Sequence, residues 1–508
     1  MSSLHERVRA LSPAVLKEIR RGIEKESLRV QPDGALALTP HPAALGSALT
    51  HPHITTDFSE AQLELITGVH AGVEACLEEL TQIHQFVYRA IGDEMLWVSS
   101  MPCGLPTDET IPIGRYGSSN VGRAKSVYRM GLGHRYGRRM QTISGIHYNW
   151  SMPGVSNEGY FALIRNFRRH SFLLLYLFGA SPAVCSSFVA GREHALKVLT
   201  DHTLYMPYGT SLRMGRLGYQ SDAQASLTVS YNSLESYGAS LQEALTRPYP
   251  PYEALGIRNA GGDYNQLSPS LLQIENEFYG TIRPKRVIFP GERPLHALRE
   301  RGVEYVEVRC MDLDPLVPVG IGPETMRFLD LFLLHCLLAE SPPDTPSEIA
   351  ALVRNQERVA ARGREPSLRL ERGGNEVLLS EWGGQVLEEC TPIAAALDVA
   401  HGGGKYSEAL MAAVAALRAA DEVPSARVLG AMAKNFGNSY VRFVRAQSEQ
   451  TKNALLRLPF PSDIDARFRG LAQESINEQK RIEAADTMAF EIYREKYLST
   501  ERLKIRAI

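Results

Sequence analysis

Alternation of polar and apolar residues at a two-residue period predicts β-strands in five parts of the chain. These segments are GIEKESLRV (22–30), QLELITG (62–68), MQTISGIHYNWSMP (140–153), LLQIENEFYG (271–280) and GVEYVEVRCMDL (302–313). A helical period is found instead in four other segments, 70–92, 325–340, 406–421 and 439–458. Because strands and helices do not alternate regularly, the pattern favours an α+β fold with an antiparallel sheet over a doubly wound parallel one.

The character of the chain changes after Pro323, which divides a sheet-bearing part (1–320) from a mainly helical part (321–508). We expect both parts to form one catalytic unit, residues 1–508. HGGGK (401–405) resembles a phosphate-binding loop only superficially, since no strand precedes it and Tyr406 follows the lysine. It is interpreted as a helix C-terminal turn. Any phosphate would therefore be bound by metal ions, arginine and lysine.

Four of the predicted strands place polar residues on one face. These are Glu24 and Glu26; Gln62 and Glu64; Gln141, His147 and Asn149; and Tyr305, Glu307 and Arg309. An ordinary solvated sheet face is one interpretation. Close carboxylates, however, raise one another's pKa unless a cation lies between them. Carboxylate ligands without cysteine favour Mg²⁺ or Mn²⁺, which usually also hold a substrate phosphate, and Arg309 is suited to binding that phosphate.

Composition excludes several classes of protein. The chain has 55 Lys and Arg against 57 Asp and Glu, a net charge of −2, which gives no reason to expect a nucleic-acid partner. The longest apolar run, 171–189, is interrupted by Gly179 and Pro182 and is too short to span a membrane. No secretory signal is visible, and the six cysteines form no CxxC pair. These features predict reduced thiols and a cytoplasmic location.

Long segments of the chain resemble the glutamate–cysteine ligases (γ-glutamylcysteine synthetases) of the monofunctional proteobacterial type. They include GIEKESLRV, segment 41–67, segment 115–153, TSLRMGRLGY (210–219), LLQIENEFYGTIRPKR (271–286), GVEYVEVRCMDLDP and EAADTMAF (483–490). The resemblance implies that ATP phosphorylates the γ-carboxylate of glutamate and that the cysteine amine attacks the acyl phosphate, as the first step of glutathione biosynthesis. It also implies a glutamine synthetase-like fold, in which a curved, mainly antiparallel sheet forms a funnel.

The resemblance further implies roles for individual residues. The expected metal ligands are Glu24, Glu26, Asp57, Glu64 and Glu307. The expected catalytic groups are Arg309 on the transferring phosphate, His147, and Asp57, which would help to deprotonate the cysteine amine. The expected glutamate site contains Gln141, His147, Asn149 and Arg213, and the cysteine site contains Phe58, Tyr128, Arg129, Leu132, Tyr219 and Tyr279. The aromatic residues alone would equally be explained by core packing. No catalytic role is expected for Cys103 or Cys185, which are expected to pack in the interior.

The basic cluster IRPKR (282–286) has two readings, a solvated turn or a phosphate-binding group formed by Arg283 and Lys285. Alternatives for the whole chain are a related ligase with a different amine acceptor, a catalytically silent metal- or nucleotide-binding regulator, and a structural protein. The silent regulator predicts loss of a metal carboxylate, yet all five are present. The family suggests a monomer and feedback inhibition by glutathione, with glutamate, cysteine and ATP as the small-molecule partners. A fused glutathione synthetase activity is not expected.

Overall fold

The computed structural model describes residues 4–218, 222–225 and 227–503. Its strands, in chain order, are β1 Arg20–Val30, β2 Ile54–Thr56, β3 Gln62–Ile66, β4 Met95–Leu96, β5 Ile146–Ser151, β6 Ala183–Cys185, β7 Lys197–Thr200, β8 Thr203–Tyr205, β9 Ile282–Lys285, β10 Tyr305–Met311, β11 Arg369–Arg372 and β12 Asn375–Leu378. The main sheet has the order β2-β3-β1-β5-β10-β9, with β4 paired to β1 at its end. Every pair of neighbouring strands in this sheet is antiparallel. The prediction of a mixed fold with an antiparallel sheet is therefore confirmed.

Helices make up most of the remaining structure. They are α1 Leu4–Ala10, α2 Pro13–Lys17, α3 Val73–Ala90, α4 Asn120–Tyr136, α5 Arg138–Gln141, α6 Asn157–Phe178, α7 Asp222–Ala225, α8 Leu234–Thr246, α9 Pro250–Leu255, α10 Pro294–Arg301, α11 Pro323–Leu338, α12 Pro346–Arg362, α13 Leu379–Glu389, α14 Thr391–His401, α15 Lys405–Arg418, α16 Pro424–Phe436, α17 Tyr440–Arg457, α18 Ser462–Ala485 and α19 Phe490–Leu498. The four helices predicted from periodicity correspond to α3, α11, α15 and α17. Helix α14 ends before Gly402, which has a positive φ of 79°, so HGGGK is the expected helix C-terminal turn.

One face of the main sheet is closed by helices. Ile23 of β1, Tyr148 and Trp150 of β5, and Val306 and Val308 of β10 are buried in one core with apolar residues of α3, α6 and α11. This face matches the predicted apolar side of β5 and β10. The polar side chains of the same strands consequently point to the opposite face, away from these helices.

Three expectations are corrected by the structure. Segment 271–280 is not a strand, because it forms a loop with a single 3₁₀ turn at Glu275–Glu277. Segment 140–153 is a strand only from Ile146, since Gln141 closes the short helix α5. Cys103 and Cys185 are joined by a disulfide with Cα atoms 5.3 Å apart. The prediction that these two thiols are reduced was therefore wrong. The two cysteines lie 82 residues apart in the sequence, and their spacing alone did not indicate that they would meet.

The other four cysteines, Cys76, Cys310, Cys336 and Cys390, are free and buried. Among the described residues, none of the helices is both long enough and apolar enough to cross a membrane. The apolar run that begins at residue 171 instead forms the second half of α6, which is packed within the core.

His51 makes stability sensitive to acid. Its Nδ1 accepts the main-chain N–H groups of His53 (3.1 Å) and Ile54 (2.9 Å), which requires a neutral ring. Burial, and then the charge of His53, lowers the pKa of His51 from 6.5 to about 4. The unfolded chain thus takes up a proton at this position at a higher pH than the folded one, so stability is full above pH 6.5 and is lost as the pH falls towards 4.

We expect His51→Asn, whose side-chain oxygen keeps an acceptor, to reduce this dependence on pH. The slope of unfolding free energy against pH should decrease by up to about 1.4 kcal/mol per pH unit between the two pKa values. Urea denaturation at several pH values measures this slope, with the exposed His194→Asn as the matched control. An unchanged slope in His51→Asn would contradict the prediction.

Candidate active site

Polar side chains form a continuous row across the main sheet. The pairing places Glu64 of β3 opposite Glu26 of β1, Glu24 of β1 opposite His147 of β5, Asn149 of β5 opposite Glu307 of β10, and Glu307 opposite Arg283 of β9. Directly opposed residues of antiparallel strands have their Cβ atoms about 4.5–5.5 Å apart. Five strands therefore bring the predicted carboxylates, histidine and arginine together on one face.

His147 lies at the centre of this row. Its Nδ1 is 3.2 Å from Glu24 Oε2 and 3.6 Å from Glu307 Oε1, and its Nε2 is 3.7 Å from Glu26 Oε1. Burial, and then the charge of Arg309, lowers the pKa of His147. The imidazole is accordingly held neutral with three carboxylates around it, which leaves a ring nitrogen available to a metal ion.

Glycine at position 145 allows two parts of the site to meet. The Gly145 N–H donates to Glu26 Oε2 at 2.7 Å, and a Cβ at this position would overlap the guanidinium of Arg213. Arg213 in turn donates from Nη2 to the main-chain oxygen of Arg309 at 2.7 Å. The close approach of Arg213 to the start of β5 thus requires a residue without a side chain.

The loop that carries Arg213 is fixed by a buried carboxylate that the sequence did not indicate. Asp312 accepts hydrogen bonds from Ser181 Oγ (2.6 Å), Ser211 Oγ (2.9 Å) and the main-chain N–H of Ala180 (2.9 Å). Ser211 also accepts the N–H of Met214, which forms the 3₁₀ turn around Arg213. Asp312 therefore positions Arg213, and the only sequence signal was its place in the segment MDLDP beside β10.

At the other end of the row, Glu307 faces cationic side chains. Arg309 Nη1 lies 3.1 Å and Lys285 Nζ 3.5 Å from Glu307 Oε1. Arg283 Nη2 donates to the main-chain oxygens of Asn276 (2.8 Å) and Phe278, so this guanidinium anchors the loop before β9. Lys285 therefore extends towards the carboxylates, as its predicted phosphate role requires, and is not part of a solvated turn.

The carboxylates divide into two electrostatic classes. Burial, and then the charge of Asp57, raises the pKa of Glu26 to about 8, and burial together with Glu24 and Asp57 raises that of Glu64 well above its usual value. Against the opposing effect of burial, the hydrogen bond from His147 lowers the pKa of Glu24. The charges of Lys285 and Arg309, also against burial, hold the pKa of Glu307 well below its usual range. Crowded carboxylates of this kind are stabilised by a cation placed between them.

The donor atoms present fit a divalent cation of the Mg²⁺ class. One ligand atom each from Glu24, Glu64 and His147 lies within 4.8 Å of the other two. Glu307 Oε2 and Asn149 Oδ1 are buried and have no hydrogen-bond partner among the described residues. Buried oxygens without partners are costly unless a ligand satisfies them, and an oxygen-rich set suits Mg²⁺ or Mn²⁺.

The predicted cysteine-site residues also lie near one another. Phe58 and Leu132 are buried in one apolar cluster, against which Tyr128 and Tyr279 pack. The neighbouring Gln141 donates from Nε2 to the Tyr279 hydroxyl at 2.7 Å. Asp57, which directly precedes Phe58, acts by its charge on Glu26 and Glu64, so this cluster adjoins the polar row. A small apolar pocket with a few polar groups is suited to a short side chain.

The two remaining residues of the predicted cysteine site are Arg129 and Tyr219. Arg129 donates from Nε to the main-chain oxygen of Asp57, and its guanidinium lies 4.5 Å from the centre of the Tyr116 ring. Its predicted contact with a substrate carboxylate remains a prediction. Tyr219 lies outside the described residues.

Comparison with known proteins decides the family. A sequence model of the family described as glutamate-cysteine ligase matches residues 7–359. The chain is 48% identical over 523 residues to the glutamate–cysteine ligase of Alcanivorax borkumensis, covering 98% of this chain and 99% of that protein. The chain belongs to the glutamate–cysteine ligase family. A further family member, from Pseudomonas entomophila, is 48% identical over 497 residues, covering 94% of this chain and 93% of that one.

Solved structures of similar proteins support this family assignment. The crystal structure of glutamate–cysteine ligase from Francisella tularensis in complex with AMP has a TM-score of 0.91 and 35% identity, covering 96% of this chain and 98% of that one. A bifunctional glutathione synthetase from Pasteurella multocida has a TM-score of 0.72 at 24% identity, covering 93% of this chain and 58% of that one, and so shares the fold.

Proposed function

We propose that this protein joins the γ-carboxylate of L-glutamate to the amine of L-cysteine at the expense of ATP. ATP phosphorylates the γ-carboxylate, the amine displaces phosphate from the acyl phosphate, and ADP, phosphate and γ-glutamylcysteine are released. The observation that carries the proposal is the row from Glu64 to Arg283, which gathers carboxylates and cations on one face of a sheet in a member of this family. Phosphoryl transfer needs this combination of positioned charge.

The metal site in this proposal is formed by Glu24, Glu26, Asp57, Glu64 and Glu307. His147 is a further candidate ligand because of its place among three of these carboxylates. When bound, Mg²⁺ or Mn²⁺ would neutralise the phosphate oxygens and align the γ-phosphate. The chain's own cations, Arg309 and Lys285, stand beside Glu307 and would bind the transferring phosphoryl group by charge-assisted hydrogen bonds.

Arg213 and the aromatic cluster would each bind one of the two amino-acid substrates. Arg213 is the proposed partner of the glutamate α-carboxylate, with Gln141 and Asn149 lining the same region. Phe58, Leu132, Tyr128 and Tyr279 would enclose the cysteine side chain, and Arg129 would meet its carboxylate. We further propose that the main sheet is curved into a funnel, as in glutamine synthetase, with the metals at its base. We also propose that Asp57, next to Phe58, accepts a proton from the cysteine amine.

The decisive experiment measures ADP release with Mg²⁺, ATP and L-glutamate, in the presence and absence of L-cysteine, together with mass detection of the dipeptide. Cysteine-dependent ADP release and a γ-linked product are expected. A set of other amines, including L-2-aminobutyrate and glycine, tests the alternative acceptor. Release that responds to another amine but not to cysteine would replace the proposal by a related ligase, and release without any amine would contradict both.

Removing the Tyr279 hydroxyl should act on cysteine more than on the other substrates. Tyr279→Phe deletes the acceptor of the Gln141 hydrogen bond at the edge of the proposed cysteine pocket. Because one hydrogen bond contributes about 0.5–1.5 kcal/mol, the KM for cysteine should rise about 2–10-fold. Steady-state kinetics with each substrate varied in turn measures this. Tyr208→Phe, at an exposed tyrosine, is the control, and equal increases in all three KM values would contradict the pocket assignment.

The division of one catalytic unit near residue 320, the monomeric state, inhibition by glutathione and the cytoplasmic location stay predictions. Size-exclusion chromatography with light scattering and an inhibition assay with glutathione would test the second and third of these.

A further inference from the structure

Behind the main sheet, three helices bring together a group of metal-binding side chains that the ligase reaction does not use. His170 lies just past the middle of α6, His335 and Cys336 lie in α11, and Glu389 is the last residue of α13. One ligand atom each from His170, His335 and Cys336 lies within 4.8 Å of the other two. The group is separate from the active-site row, which faces the opposite side of the sheet from α6 and α11.

Both imidazoles have a nitrogen that the protein leaves unsatisfied. The Nδ1 atoms of His170 and His335 are buried and have no hydrogen-bond partner in the described part of the chain. The two rings lie with their centres 5.6 Å apart, and the His335 side chain is fully buried. Buried polar atoms are normally hydrogen-bonded, so two unpaired ring nitrogens beside a free thiol are arranged as a metal ion would require.

The other nitrogen of His335 is oriented by a carboxylate. His335 Nε2 lies 2.7 Å from Glu389 Oε2 and, since a carboxylate accepts, this nitrogen carries the hydrogen. The lone pair is therefore on Nδ1, the buried nitrogen that has no hydrogen-bond partner among the described residues. A histidine that binds a metal characteristically donates its second N–H to a carboxylate or carbonyl in this way.

We propose that His170, His335 and Cys336 form a binding site for a borderline-soft divalent cation, of which Zn²⁺ is the representative. Two nitrogens and one sulfur are the donor set that selects Zn²⁺ over Mg²⁺. With bonds of about 2.0–2.3 Å, ligand atoms in a tetrahedral site lie roughly 3.3–3.7 Å apart, so the three side chains need only a small approach. The site is distinct from the proposed catalytic metals and does not depend on the ligase reaction.

The charge of the proposed cation is balanced locally. On binding, the Cys336 S–H bond breaks, an S–Zn bond forms and the proton passes to solvent. The thiolate and the Glu389 carboxylate together offset the two positive charges of the cation. Two arginines, Arg169 and Arg372, are also nearby, but each already has partners of its own. Arg169 is paired with Glu348 at 2.7 Å, and Arg372 donates to Gln385 and lies over the Trp382 ring. A cation can enter from solvent because His170 is half-buried and the Glu389 side chain is 53% exposed.

Such a cation would join α6 to α11 and, through Glu389, to α13. Helix α6 packs against both α11 and α13 behind the sheet, and it also contacts β9 and β10. We therefore expect the site to be structural, holding the helical layer that supports the catalytic strands. Binding to the folded state alone raises stability in proportion to the logarithm of free cation over its dissociation constant.

Co²⁺ is the probe that distinguishes this site, because cobalt–thiolate coordination gives an intense near-ultraviolet charge-transfer band that oxygen ligands do not give. The full-length protein, freed of metal and kept without thiol reductants, is titrated with Co²⁺ in excess Mg²⁺. We expect one equivalent to produce the band, and one equivalent of Zn²⁺ to remove it. Cys336→Ser should abolish the band and His170→Gln should weaken Co²⁺ binding at least tenfold, whereas Cys76→Ser, which alters another free buried cysteine, should retain both.

The outcomes separate cleanly. Absence of the band in the unmodified protein overturns the proposal without reference to any variant, and persistence of the band in Cys336→Ser overturns it as well. If Cys336→Ser fails to fold by circular dichroism, His170→Gln alone decides, because this half-buried residue is less critical for packing. Because the readout is spectroscopic, ligase activity can fail while this site is confirmed, and the reverse.

Discussion

Glu307→Gln is expected to lower kcat by roughly 10²–10³-fold, the range seen when one group that stabilises developing charge is removed. The side chain is almost fully buried, at 1% exposure, and its Oε1 lies near Arg309, Lys285 and His147. Without its charge, the two cations repel each other and the proposed metal ligand is lost. The measurement is cysteine-dependent ADP release as a function of Mg²⁺ concentration, and the Mg²⁺ requirement should rise along with the loss of kcat.

The matched control is Glu304→Gln, three residues earlier in the chain. Glu304 is 45% exposed and pairs with Arg286 at 3.6 Å on the surface, where the loss of one ion pair has little effect. Glu304→Gln should retain kcat within about twofold. Near-normal turnover of Glu307→Gln at ordinary Mg²⁺ concentration would refute the placement of Glu307 on a metal.

Asp330→Ala is expected to destabilise the fold by about 3–5 kcal/mol, because it leaves a buried arginine without its counter-charge. Asp330 of α11 is fully buried and lies 2.9 Å from Arg21 of β1, while the Tyr148 hydroxyl donates to it at 2.8 Å. This pair connects the apolar face of the sheet to the helix behind it. Urea denaturation followed by circular dichroism measures the loss, with the exposed Asp263→Ala as control.

A double substitution tests whether the unpaired charge is the cause. Arg21→Met with Asp330→Leu removes both charges and replaces them by apolar side chains of similar size. The double variant should lose considerably less free energy of unfolding than the sum of the losses of the two single variants. A buried ion pair can often be replaced by apolar residues, whereas a single buried charge cannot be left unpaired without a large cost. Strict additivity would show instead that packing, and not charge, dominates. Turnover per folded molecule should be unaffected, because both side chains lie on the helix-covered face of the sheet, opposite the polar row.

The sequence predicted the parts of the site that lie on strands with one buried face. Glu24 and Glu26 were correctly predicted to share one face because they lie two residues apart in the strand β1. The same holds for Glu307 and Arg309 of β10. Their roles as ligands and phosphate contacts came from the family resemblance and remain to be measured.

Segment 271–280 was wrongly predicted to be a strand because buried ion pairs with distant residues gave it alternating polar and apolar positions. Glu275 and Glu277 lie in a loop but are buried, because they pair with Arg293 (2.6 Å) and Arg135 (2.8 Å) respectively. Their alternation with apolar residues has the period of a strand, yet partners so distant in sequence cannot be inferred from local spacing. The same limit explains the unpredicted Cys103–Cys185 disulfide.

The row of polar side chains across the main sheet limits how the length of β1 can change by mutation. Each member faces its neighbour only because the strands pair in one register, and side chains alternate between the two faces. Deleting or inserting a single codon within β1 would turn Ile23 and Lys25 towards the substrates and send Glu24 and Glu26 into the apolar core. Loops of this protein can therefore change in length during evolution, whereas the length of β1 between Arg20 and Val30 is constrained to the residue.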